Sequence, residues 1–292
     1  MAIFLLKILQ GGTFFGKKPC SQEDLAFIGG LILRHLQSNP CNAHEVSELQ
    51  LNLNSIATSE TDEIAAGIYA TLSLFNHSCD PSVTRNFYGD TCVVRAIKNI
   101  PKGHEISDNY GTLCALTVKA ERHQKLKSQY HFTCHCDACE KEFPLYSDIS
   151  GTASPVFKCE NCGTTLHHIA TNGTGHMTGH MTDYLTGHLI EYMPGLVSNT
   201  PKGGTQPAIC RNCQRTYNLT EMRTALKASA DLYEKAMDAL LLEADAEGTV
   251  PVLESHLRLL EKWVCRPWKD FNNCQEAIKQ CYSIMGNCHV MR

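Results

Sequence analysis

Apolar positions recur at helical spacing from Ser21 to Asn39, where Leu25, Ile28, Leu31, Ile32 and His35 share one face behind a Ser21/Asp24 capping box. Asn39-Pro40 is expected to end that helix. Ahead of it, the apolar stretch in MAIFLLKILQGG is broken by Lys7 and is too short to cross a bilayer, so it reads as a buried helix. Between about Val83 and Asp108 the pattern shortens to strands, with Gly89-Asp90 as a hairpin turn before Thr91 to Ala96 and a second turn at Pro101-Lys102-Gly103. The stretch from about Ser147 to Pro207 is loop-like, rich in Gly, Thr, Ser and His, with a degenerate repeat in Thr174-Gly175-His176-Met177 and Thr178-Gly179-His180-Met181. From Thr220 the helical period returns as three stripes. Met222, Leu226, Leu232, Tyr233, Met237 and Leu240 form the first, Leu253, Leu257, Leu260 and Trp263 the second, and Phe271, Cys274, Ile278, Cys281 and Met285 the third.

Antiparallel helices joined by short loops, with small alanines at close-packing positions, predict a tetratricopeptide-like stack, cut short because three helices fall below the repeats such a stack needs. The expected class is therefore α+β. Composition agrees: 292 residues with 43% hydrophobic content are enough for a real core. A net charge of -4 with 19% charged residues offers no basic surplus for phosphate contacts, so nucleic acid is not an expected partner. No other apolar run reaches about 18 residues, so no membrane span is expected either.

Sixteen cysteines change the picture, because eight sit in tight metal-ligand spacings. A reducing intracellular compartment, cytoplasm and nucleus, is the expected location. The other eight, Cys20, Cys41, Cys92, Cys114, Cys265, Cys274, Cys281 and Cys288, are expected mostly on apolar faces as small hydrophobes. Cys134-His135-Cys136-Asp137-Ala138-Cys139 places three thiolates within six residues, too close for mutual disulfides and well suited to one tetrahedral ion. Its fourth ligand is expected to be Cys79, presented by a turn before Asp80-Pro81. His135 is the alternative, although alternation within the triplet points it away. Cys159-Glu160-Asn161-Cys162 and Cys210-Arg211-Asn212-Cys213 make a pair of knuckles of the zinc-ribbon kind, whose long connection costs only ~0.6 kcal/mol per doubling of length. Four unrelated buried cysteines are the alternative, disfavoured because the surrounding sequence offers little core to bury them, and a redox pair has no βαβ context. His176, His180 and His188 are expected to stay solvated in their Gly-rich tract. Few Lys and Arg lie between Cys159 and Cys213, which argues against a nucleic-acid-binding ribbon.

Three segments carry a resemblance: Asn76-His77-Ser78-Cys79-Asp80-Pro81, then Gly103-His104-Glu105-Ile106-Ser107-Asp108-Asn109-Tyr110-Gly111, then Tyr130-His131-Phe132-Thr133-Cys134 with its triplet. Together they resemble the NHSCxP signature, the tyrosine-ended strand and the YxFxCxCxxC post-SET element of the SET and MYND-domain (SMYD) lysine methyltransferases, over about Glu48 to Glu140. The helical tail, through Glu261-Lys262-Trp263 and Arg266-Pro267-Trp268-Lys269, resembles that family's TPR-like domain more loosely, and the ribbon suggests its TPR-bearing branch.

The resemblance implies a SET-type β region with a post-SET zinc site, a zinc-ribbon-like insertion and a C-terminal TPR-like helical domain. The expected layout is a partial SET domain over 1–132, a post-SET element over 133–146, a ribbon-like segment over 147–219 and the helical domain over 220–292. It implies that Asn76 and His77, with backbone of Ser73 and Leu74 and the side chain of Asn54, contact the amino-acid end of S-adenosylmethionine, and that Phe132 stacks on its adenine. Tyr110 and Tyr130 would line the lysine channel. Zinc would occupy two sites, Cys79/Cys134/Cys136/Cys139 and Cys159/Cys162/Cys210/Cys213. The family's GxG segment and MYND finger have no counterpart here, which suggests an N-terminally incomplete member; His104 replaces the usual acidic residue, and Ile56 stands where an aromatic is frequent. The expected activity is protein-lysine N-methylation, with a lysine-bearing protein as substrate. The alternative is an inactive zinc-binding module that recruits a peptide on its TPR-like helices.

The chemistry explains the residue types. Methyl transfer from a sulfonium is an in-line displacement by a neutral amine, yet a free lysine has a pKa of ~10.4, so the site must desolvate and align it. Tyrosine rings form an apolar tunnel while their hydroxyls and nearby carbonyls accept weak CH···O contacts.

Overall fold

The computed structural model describes residues 21–52, 59–150, 154–168 and 207–291. The predicted helix over MAIFLLKILQGG, Cys20, Asn54, Ile56, the Thr174 to Met181 repeat, His176, His180 and His188 lie outside the described residues.

Helix α1 spans Gln22–Asn42 and starts as predicted: Ser21 Oγ accepts from the Asp24 amide at 3.1 Å while Asp24 accepts from the Ser21 amide at 3.1 Å. It does not stop at Asn39. Pro40 sits in its last turn, where the Asn42 side chain covers the Ser38 carbonyl at 2.9 Å and Gln129 donates to the Pro40 carbonyl at 3.0 Å. Those bonds complete a turn that proline alone disfavours. The predicted face is only partly buried: Leu25 is covered, Ile28 and Ile32 are half-buried, and Leu31 and His35 are exposed. Phe27, Leu33 and Leu36 also face outward, so the helix is apolar nearly all round, and its period could not select a face.

Among the described residues, ten strands follow in chain order: β1 Ala43–Asn52, β2 Glu60–Ile68, β3 Asn76–His77, β4 Val83–Tyr88, β5 Thr91–Ala96, β6 Ser107–Asp108, β7 His167–His168, β8 Pro207–Ile209, β9 Thr216–Asn218 and β10 Cys288–Met291. β1 pairs antiparallel with β2 and parallel with β10. A register shift between Val46 and Ser47 keeps Val46, Leu49 and Leu51 buried together despite their odd spacing. β4 and β5 form the predicted hairpin, pairing Tyr88 with Thr91 around Gly89-Asp90. Gly89 takes φ +61, as a two-residue hairpin turn demands. The turn at Pro101 also forms, with the His104 amide donating to the Pro101 carbonyl at 3.0 Å. Asn287 fastens the hairpin to the end of the chain: its side chain accepts from the Gly89 amide at 2.6 Å and donates to the Gly89 carbonyl at 3.0 Å.

The remaining helices are α2 Lys119–Tyr130, the short α3 Asp137–Glu140, and α4 Leu219–Glu243, α5 Ala246–Trp263 and α6 Lys269–Ile284. α4, α5 and α6 bury their stripes in the largest core: Met222, Leu226, Leu240, Leu253, Leu257, Leu260, Phe271, Cys274, Ile278 and Cys281. Leu232 is the exception at 57% exposed, because it lies about 100° around the helix from its neighbour Tyr233. Among the eight other cysteines, Cys114, Cys274 and Cys281 are buried as expected, whereas Cys41, Cys92, Cys265 and Cys288 are only half-buried. The same core takes in Ala208 of β8, Leu166 just ahead of β7, Phe157, which bridges antiparallel to Val264, and Ile97 of the β5 to β6 segment. No helix among the described residues is long and apolar enough to cross a membrane.

His256 on α5 is 2% exposed, with Nδ1 against Ser229 Oγ at 2.9 Å and its ring on Tyr233 at 5.3 Å. Burial lowers its pKa below 6.5, although Asp270 opposes the shift. The unfolded chain therefore takes up the proton first as pH falls. Stability of the helical layer is full above about pH 6.5 and declines below it. Urea midpoints at pH 7.5 and 5.5 should differ more for the native chain than for His256→Gln; an equal difference would rule this out.

Candidate functional site

The site grows from two crossing segments. β3 pairs parallel with β6, matching Asn76 to Ser107 and His77 to Asp108, so Tyr110 emerges just beyond His77. α2 ends on His131 in a left-handed conformation, φ 62, and that reversal turns Phe132 back toward the same place. Four of the predicted residues meet there. The Tyr110 and Tyr130 rings lie 4.7 Å apart, Phe132 stands edge-on to Tyr110 at 6.4 Å, and the His77 ring lies 5.2 Å from Tyr110 and 6.0 Å from Phe132.

Polar contacts orient this cluster. The Tyr110 hydroxyl donates to the Phe75 carbonyl at 2.6 Å, and the Tyr110 amide donates to His77 Nδ1 at 3.0 Å. With Nδ1 accepting, the His77 proton belongs on Nε2, which sits 3.4 Å from Cys79 Sγ. Burial pushes the imidazole down to about 4, so it is neutral at physiological pH. Burial also raises the Tyr110 and Tyr130 phenols, which stay protonated. Gln129 donates to the Tyr130 hydroxyl at 3.2 Å.

The other predicted residues sit at the rim. Asn76 is exposed and donates to Glu105 Oε1 at 2.5 Å. Ser73 and Leu74 form the 3-10 turn before β3; the Leu74 side chain points into solvent, and Ser73 Oγ donates to the Tyr69 carbonyl at 3.1 Å. Sequence reasoning missed Glu105 and the buried Asp108, which pairs with Arg85 directly behind the β3/β6 strands. It also missed Arg266, 2.8 Å from Asp80 on the signature turn. The acidic residues inside the strand motif were a signal for the first two; nothing local could reveal a partner 186 residues away.

Cys79, Cys134, Cys136 and Cys139 converge with their sulfurs all within 4.8 Å of one another, and Cys79 and Cys139 lie 3.6 Å apart. That separation is far beyond a disulfide bond and close to the ~3.8 Å edge of a tetrahedron with Zn–S bonds of about 2.3 Å. Cys79 is the fourth member: His135 stays exposed and pairs with Glu140 at 2.8 Å. The Cys134 to Cys139 turn is tight, with the Cys139 amide bonding the Cys136 carbonyl at 2.8 Å. Hydrogen bonds from Cys134 and Cys136, then burial, drive the Cys79 thiol far up, while those from Cys134 and Cys79 hold Cys136 far down. The four sulfurs cannot all ionise without a cation among them, which is the donor set zinc requires.

The second quartet is built from two matching knuckles. Gly163 donates to the Cys159 carbonyl at 2.8 Å and Gln214 to the Cys210 carbonyl at 2.9 Å, and both take positive φ, 72 and 59. Each knuckle therefore curls its pair of thiols inward; Gln214 bears a strain that Gly163 does not. Cys159 and Cys213 lie 3.4 Å apart, as do Cys162 and Cys210, and all four sulfurs fit within 4.8 Å. Cys159 and Cys210 are buried in the main core, which is supplied by the distant helices rather than by neighbouring sequence. Tyr217 and Thr164 hydroxyls touch Cys159 and Cys162 at 3.0 and 3.4 Å, and the Thr164 contacts pull the Cys162 thiol down to about 6.

Comparison with known proteins bears on this geometry. A SET-domain family model matches residues 9–111. Human protein-lysine N-methyltransferase SMYD4 (Homo sapiens) is 36% identical over 146 residues, 49% of this chain and 18% of that protein. Histone-lysine N-methyltransferase SMYD3 from Mus musculus is 36% identical over 91 residues, 31% of this chain and 21% of its own length. N-lysine methyltransferase SMYD2 from Sus scrofa is 30% identical over 125 residues, 42% of this chain and 28% of its own. The chain spans about a fifth of the length of the first curated relatives it matches.

Proposed function

We propose that this chain belongs to the SET and MYND-domain family and that its SET region serves S-adenosylmethionine-dependent N-methylation of a protein lysine. The observation that carries the reading is the Tyr110/Tyr130 pair packed on His77 and Phe132, with the Tyr110 hydroxyl fixed on the Phe75 carbonyl.

The residues fit the cofactor's chemistry. Ring faces and the nearby Glu105 carboxylate favour a sulfonium cation, and a neutral His77 adds no opposing charge. Asn76, His77 and backbone of Ser73 and Leu74 would hold its amino-acid end, and Phe132 would lie against its adenine; Asn54 is assigned to the same end. S-adenosylmethionine supplies an electrophilic methyl group when bound. The chain's own work is to strip water from a lysine amine, favouring its neutral form, and to aim it between two phenol rings. Two zinc ions, one per cysteine quartet, would clip the Asn76-His77 strand to the Tyr130 to Phe132 segment and close the ribbon. A lysine-bearing protein is the substrate in this reading, and cytoplasm and nucleus the setting.

Exposed Leu232 and Leu242 on α4 support a second reading, an inactive module that binds a protein through its helices. Calorimetric titration separates the two. S-adenosylmethionine should bind the protein, and Phe132→Ala should weaken it about tenfold, the scale of one lost aromatic contact. Tyr110→Phe should keep cofactor affinity while lowering turnover on a protein substrate. Unaltered binding in Phe132→Ala would remove that residue from the site, and no binding by the native protein would favour the module.

A further inference from the structure

Arg122 is 1% exposed, and among the described residues it is the single Lys or Arg side chain in the buried class. It projects from α2 toward the first cysteine quartet, with Nη2 3.6 Å from Cys139 Sγ. Nη1 donates to the Thr117 carbonyl, and Nε has no hydrogen-bond partner. Among the described residues, none of the nine ion pairs gives it a carboxylate. A buried guanidinium without an anion is costly, since the desolvated charge has nothing to offset it. The sulfurs are the groups at hand. Four thiolates around one divalent ion leave a formal charge of about −2 in the same interior, so each charge supplies what the other lacks. His77 and His123 add imidazole nitrogens 3.4 Å from Cys79 and Cys139.

The second quartet is built differently. The Tyr217 and Thr164 hydroxyls and the Asn212 side chain meet its sulfurs, and all three groups are neutral. We propose that Arg122 is the counter-ion of the Cys79, Cys134, Cys136 and Cys139 centre, a positioning residue that retains its metal, and that the second quartet releases zinc first.

This inference rests on the zinc reading, so zinc content of the full chain is measured first; a chain without zinc overturns both. In a chain with zinc, release to excess EDTA should show two phases. Arg122→Met should accelerate the slow phase about ten- to a hundredfold and leave the fast one alone, and Arg122→Lys, which keeps the charge, should restore part of the loss. Equal rates for both ions in the native chain, or no acceleration in Arg122→Met, overturn the role of Arg122 while leaving zinc in place. Should Arg122→Met fail to fold, the native chain still decides. Cys136, Cys162 and Cys213 are all half-buried, so burial does not rank them. Under limiting N-ethylmaleimide, mass spectrometry should find Cys162 and Cys213 labelled before Cys136; the reverse order overturns the proposal.

Discussion

Replacing Cys79 with serine is expected to remove one of the two metal equivalents proposed for the cysteine quartets and to release Asn76-His77 from Tyr130 and Phe132. Cys79 follows His77 by two residues, and Cys134 follows Phe132 by two, so the quartet is the knot between the two segments that build the aromatic cluster. Structural zinc in small domains amounts to about 10–16 kcal/mol of folding free energy. That is as large as the ~5–15 kcal/mol net stability of a whole domain. Partial weakening is therefore not the expected outcome; the segment from Ser128 to Phe143 should become open to proteolysis while α4 to α6 keep their helical signal. Cys114→Ala is the control. Cys114 is buried beside the quartet, and its amide donates to the Cys79 carbonyl at 2.9 Å. Burial pushes its thiol up to about 11, so it remains a neutral thiol and a packing group. Its loss should cost about 1 kcal/mol and no metal. Equal metal content in Cys79→Ser and the native chain would sink the assignment.

Features whose cause is local were legible beforehand. The Ser21/Asp24 cap, the Gly89-Asp90 hairpin, the Pro101 turn and the inward faces of α4 to α6 each follow from a few neighbouring residues. The cysteine spacings also carried through, because the chelate geometry of a CxxC knuckle is set by its own backbone. The aromatic cluster was legible only as a combination of three motifs in order, since a tyrosine or an Asn-His pair alone has many uses. What could not be read depends on contacts across the chain. The β1/β2 pair went unpredicted: β2 is exposed along almost its whole length and bears Glu60, Asp62 and Glu63, so no buried face marks it. β10 pairs with β1 from 239 residues away, Leu49 with Cys288. The face named for α1 was only partly right because apolar residues surround the helix, and no neighbour in sequence marks Arg122 as buried beside the quartet.

Asp80→Ala should be the most destabilising substitution outside the two quartets. The Asp80 carboxylate accepts from Lys98 at 3.0 Å and from Arg266 at 2.8 Å, and its own carbonyl takes a second bond from Lys98 at 2.7 Å. Arg266 is held in place by the Phe271 ring at 4.4 Å, and the chain beside Lys98 is anchored by Ile97 in the main core and by the Asn99 amide on Glu261 at 3.1 Å. Neither cation is free to swing into water when the carboxylate is removed. Side-chain exposures of 16% for Asp80, 20% for Lys98 and 21% for Arg266 leave some solvent screening. The cost should thus fall near the lower end of the range for a broken buried pair, about 3 kcal/mol. An exposed pair such as Lys119 with Glu142 is worth at most about 1 kcal/mol, so Glu142→Ala is the comparison. Adding Arg266→Met to Asp80→Ala removes one stranded charge, and the double variant should lose less than the sum of its parts. Because Asp80 follows Cys79, the same triad fixes the signature turn to the segment entering α6. Urea midpoints for the four variants read the coupling directly, and an Asp80→Ala shift no larger than that of Glu142→Ala would dismiss it.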